Sequence, residues 1–90
     1  MHAKLDEQVT ACMRDAEAQG SSREIPVIVT LRKVEDLQAL RDHGLQVRHV
    51  FAPIAAVSGR VQTSQIERLA SLVAVLRIEY DGQMHALESD

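Results

Sequence analysis

Covalent catalysis needs a nucleophile, a base and an orienting acid fixed on one framework, with donors for the oxyanion. Among the residues of this chain with the right chemistry are Ser58, Cys12 and the histidines His2, His43, His49 and His85. Their spacing does not assemble them. Ser58-Gly59 lacks the flanking glycines of a nucleophile elbow. The histidines are far apart, with neither i, i+4 spacing nor paired cysteines, so neither a metal site nor a catalytic base is expected. Gly44, Gly59 and Gly82 make no glycine-rich loop between a strand and a helix, so a phosphate cradle is not expected, nor is any cofactor. Cys12 falls on an apolar stripe and reads as a small buried hydrophobe. What remains is non-covalent chemistry. Glu79 and Asp81 stand two apart near the end of a strand pattern, which projects both carboxylates from one face. The expectation is a binding protein, not an enzyme.

The elements that hold these residues follow from periodicity. Leu5, Val9, Cys12, Met13 and Ala16 repeat at helical spacing and predict an amphipathic helix over 4–18, with Asp6 and Glu7 at its positive end and Gly20, Ser21 and Ser22 after it. Ile25 to Arg32 is β-branched and apolar on both parities, the pattern of a central strand. Val34, Leu37 and Leu40 predict a second helix stopped by Gly44, with Leu45 placed for the apolar contact of a glycine cap. Leu45, Val47, His49 and Phe51 then alternate with Gln46, Arg48 and Val50, a strand with one apolar face. Ala52-Pro53 turns the chain into a strand over Ile54 to Val61, with Val57, Gly59 and Val61 on one face and Ala56, Ser58 and Arg60 on the other. Ser64 and Glu67 have capping-box spacing ahead of a third helix bearing Ile66, Leu69 and Ala70. Val73 to Tyr80 is the last strand, with Leu76, Ile78 and Tyr80 turned inward.

A helix followed by βαββαβ predicts an α+β fold: a ferredoxin-like antiparallel sheet with two helices on one face, plus an extra N-terminal helix. The expected division is an N-terminal amphipathic helix and linker over 1–20, the βαββαβ domain over 21–81 and an extended tail over 82–90. Because the βαββαβ unit closes its own core, the first helix is expected to be peripheral. The uncovered sheet face is where function is sought, with Ile28, Val50, Ile54, Ala56 and Ser58 on it.

Composition narrows the partner. Ninety residues suffice for one core, and 46% hydrophobic with 26% charged residues is ordinary for a folded chain. A net charge of −3, one Phe, one Tyr and no Trp provide neither the basic footprint nor the stacking rings of a nucleic-acid binder. The apolar run from Ile25 to Leu31 is far short of the roughly 20 residues that span a bilayer, so no membrane role is expected. The start of the chain has no hydrophobic signal segment and Cys12 is the single cysteine. Both favour a cytoplasmic location, with secretion the expectation if the chain is excised from a larger precursor.

From Ile25 to about residue 87 the chain resembles the inhibitory propeptide of subtilisin-like serine proteases, a family that includes free-standing inhibitors. The resemblance is carried by Ile25-Pro26-Val27-Ile28-Val29-Thr30-Leu31, by the small-residue run within Phe51 to Val61, by the helix with Ile66 and Leu69, and by Val75-Leu76-Arg77-Ile78-Glu79-Tyr80-Asp81. That last segment follows the family's V-x-x-I/V-E-x-D ending. Their order and distances carry more than any one of them.

The resemblance implies a partner and a mode. In the family the open sheet face lies on two protease helices, and acids after the last strand cap them, the pattern that Glu79 and Asp81 occupy. The tail adds a strand in the substrate cleft, which would put Leu87 at P1, Ala86 at P2, His85 at P3 and Met84 at P4. Glu88-Ser89-Asp90 runs past the usual end of such a tail. The implied state is a monomer when free and a heterodimer with its protease, inhibiting it and, by the same surface, assisting its folding. Two alternatives of the same fold stay open. One is an interaction domain with a non-protease partner. The other is an ACT-like regulatory module, whose ligand loop would need a distinctive Gly or Asp after the first strand, where Arg32-Lys33-Val34-Glu35-Asp36 lacks a glycine.

Overall fold

The computed structural model describes residues 4–82. Asp6 begins the first helix: its backbone is extended and its Oδ1 accepts the Val9 N–H at 2.7 Å, so one orphan donor of the helix start is satisfied. Helix α1 (Glu7–Ala18) ends at Gly20, and helix α2 (Leu37–Asp42) ends at Gly44. Both glycines have positive φ, +70° and +93°. Each supplies the left-handed residue of a Schellman motif: Ser21 N–H donates to Ala16 O and Leu45 N–H to Leu40 O, both at 3.0 Å. Leu45 and Leu40 are buried in the core, the apolar contact that often accompanies this motif. Helix α3 (Ile66–Ala70) is short, and a 3-10 turn precedes each of α2 and α3.

Strands β1 (Glu24–Leu31), β2 (Gln46–Phe51), β3 (Ala56–Gln62) and β4 (Val75–Tyr80) form one antiparallel sheet in the order β2-β3-β1-β4. The fold is therefore α+β, a four-stranded open sheet with three helices. Val27 and Val29 of β1, Val57 of β3 and Ile78 of β4 lie on one face and share a core with Val9 of α1, Leu40 of α2 and Leu69 of α3. All three helices thus cover the same face.

The first helix is not peripheral. Val9 is fully buried within the common core, and Cys12, half-buried, packs against it. The chain before α1 is tied to the sheet as well. Ile78 N–H donates to Lys4 O at 2.8 Å and Asp6 N–H to Ile78 O at 3.2 Å, so Lys4 to Asp6 runs parallel along the outer edge of β4. Lys4 Nζ reaches the carbonyls of Ala70 and Leu72 at 2.9 and 3.1 Å, where a cation suits the negative end of α3. The βαββαβ unit leaves the outer edges of β2 and β4 open, and these residues cover the β4 edge around Ile78.

Two register shifts change which side chains face the core. In β2 the pairing passes from Val47↔Gly59 to His49↔Ser58, one residue being bulged. Residues opposite one another point to the same face. Val50, opposite Val57, therefore lies on the helix side, while His49 and Phe51 turn to the uncovered face, the reverse of strict alternation. In β4 the shift between Thr30 and Leu31 places Val75 opposite Leu31 and leaves Leu76 43% exposed rather than inward. The Ser64–Glu67 capping box does not form: no side chain caps α3, and Ser64 Oγ bonds instead to Ser22 Oγ at 3.1 Å.

Candidate functional site

The uncovered face is organised in rows. His49, Ser58, Ile28 and Glu79 lie opposite one another in turn on β2, β3, β1 and β4, and Phe51, Ala56, Thr30 and Arg77 form the next row. β3 contributes its small residues to the middle of both rows. His49 and Phe51 are exposed and stand together, ring centroids 6.3 Å apart, as a raised margin on β2.

The close seating of β2 depends on Gly59. A Cβ there would strike the Gln46 carbonyl oxygen and lie 3.2 Å from Val47 Cα, so only a glycine admits the bulged backbone of β2 at this point. Strict alternation missed the placement of His49 and Phe51 on this face; a glycine inside a strand pattern marks a bulge or a close backbone approach, and Gly59 was the one sequence signal of it.

Ser58 sits at the centre of the site. It is 4% exposed, and its Oγ has no hydrogen-bond partner among the described residues. Ile28 is half-buried and Ala56 buried beside it. Ile54 is not on the sheet at all. It ends the 3-10 turn Ala52–Ile54, 68% exposed, and Ala55 at φ +49° re-aims the chain before β3 starts at Ala56.

The two acids part company. Glu79 faces outward, with an Arg77 guanidinium at 3.6 Å and both side chains well exposed, an arrangement worth little by itself. Asp81 is 6% exposed, and its N–H donates to Pro26 O at 3.0 Å. It is not open to a partner in the way Glu79 is. The expected cleft residues Met84, His85, Ala86 and Leu87 lie outside the described residues.

Apart from the sheet face, a concavity of about 390 Å³ lies between α1 and the start of α3, lined by Met13, Glu17, Ser22, Thr63, Ser64 and Glu67. Its hydroxyls serve the fold: Ser22 Oγ donates to Gln62 Oε1 at 2.8 Å, and the Arg23 N–H donates to Thr63 Oγ1 at 3.0 Å. No group of His, Cys, Asp and Glu among the described residues could hold a metal ion, and no described helix is long and apolar enough to cross a membrane. No protein-family model, curated protein or solved structure matches the chain.

Proposed function

We propose that the chain is a propeptide-like inhibitor of a subtilisin-like serine protease, binding through its uncovered sheet face. The observation that carries the reading is that all three helices cover one face, while the other presents small residues, Ala56 and Ser58, between the His49–Phe51 margin and Glu79. The strand order β2-β3-β1-β4 supports the finer assignment of the fold to the ferredoxin-like split βαββαβ arrangement. In this reading Glu79, facing outward, is the acid that serves a partner's helix end, while Asp81, 6% exposed, is less open to one. Inhibition is by occupancy: the sheet buries most of the contact, about 800 Å² per partner in an ordinary interface, and the tail through Leu87 fills the cleft.

The test is a steady-state assay of a subtilisin-like endopeptidase with a peptide substrate, beside a protease of the chymotrypsin fold. Inhibition of the first alone is expected. If neither is inhibited and neither binds, the chain serves some other partner.

A further inference from the structure

We infer that Ser58 is a binding residue, and that it forms with His49 and Arg48 a seat for an aspartate or glutamate carboxylate of the partner protein. The inference rests on the protein-binding reading above. It starts from a hydroxyl that has no partner among the described residues. Ser58 is 4% exposed with its Oγ unpaired among the described residues, so it has given up water without gaining a protein partner. Packing does not require it, since alanine already occupies the neighbouring position on the same face of β3, Ala56. A partner's acceptor would supply the bond that the described fold leaves unmade.

The surroundings define that partner. His49 lies directly opposite Ser58 on β2 and on the same face. Side chains so paired have Cβ atoms about 5 Å apart, close enough for one carboxylate to accept from the Ser58 hydroxyl and from a ring N–H of His49 together. Arg48, next in the chain and exposed, adds a positive field on this margin of the sheet. The far end of the same row carries Glu79, which repels a carboxylate and fixes the direction in which an acidic partner surface lies across the strands. The bulge in β2 is what assembles the seat, because strict alternation would turn His49 into the core.

Two measurements separate this inference from the reading it rests on. The first uses the free chain: Ser58→Ala should raise the melting temperature by about 4 °C or more, since it removes an unpaired buried hydroxyl. An unchanged or lower melting temperature overturns the inference, whatever the partner. The second is a titration of a subtilisin-like protease: Ser58→Ala and Arg48→Glu should each lower affinity about tenfold or more, the Arg48→Glu loss shrinking at high salt. Equal affinity for both variants overturns the carboxylate seat. A protease that does not bind the unaltered chain overturns the proposed function and the seat with it, while the melting experiment still decides whether the Ser58 hydroxyl is held unpaired.

Discussion

Asp6 uses its two carboxylate oxygens on different elements, Oδ1 accepting the Val9 N–H that begins α1 and Oδ2 accepting the Tyr80 N–H of β4 at 2.9 Å. Asp6→Ala removes the cap and strands the Tyr80 donor, an expected loss of about 2 kcal/mol in urea unfolding. Asp6→Asn keeps an amide oxygen for the cap and should cost about half of that. Equal losses for the two would show that only one of the bonds contributes. Gly59→Ala, which drives a Cβ into the Gln46 backbone, should cost on the order of 2 kcal/mol by the same measurement and disturb the β2 amides first. The acid at the start of α1 was legible in the sequence, because helix starts favour carboxylates. Its second bond was not, since nothing near Asp6 in the chain marks a strand edge that comes more than 70 residues later.

At the scale of elements, the glycine stops could be read from the chain because the Schellman motif is local: Gly20, Gly44 and Leu45 carry its residue types at its positions. Strand faces could not. The shift between Val47 and His49 is set by how β2 seats against Gly59 on another strand, and one bulged residue moved His49, Val50 and Phe51 to the opposite faces. The same limit applies to α1, whose amphipathic stripe was plain but whose target was not. Because Val9 is fully buried and Lys4 to Asp6 closes the edge of β4, a chain beginning at Ser21 should lose its cooperative thermal transition and aggregate through the bared strand. Val9→Ala should cost about 2 kcal/mol in the full chain. A Ser21 chain with the circular dichroism and melting curve of a folded domain would show that α1 is dispensable.

For the whole molecule, one sheet face is closed by three helices and the other carries no helix, so the proposed binding and the folding draw on opposite sides of the same strands. The tail gives this arrangement a chemical readout. Leu87, with Ala86 before it and Met84 at P4, is the residue after which a subtilisin-like protease is expected to cut, and mass spectrometry should find loss of Glu88-Ser89-Asp90 while the shortened chain stays bound. An intact chain, with inhibition undiminished after removal of residues 83–90, would assign inhibition to the sheet face alone. The sheet face itself is tested most directly by the amide resonances of the deuterated chain as an inactivated subtilisin-like protease is added. The account predicts that shifts concentrate at Ile28, His49, Ser58 and Glu79, with Leu40 of α2 and Cys12 of α1 unmoved. Shifts centred on the helices, or none at saturating protease, would contradict it.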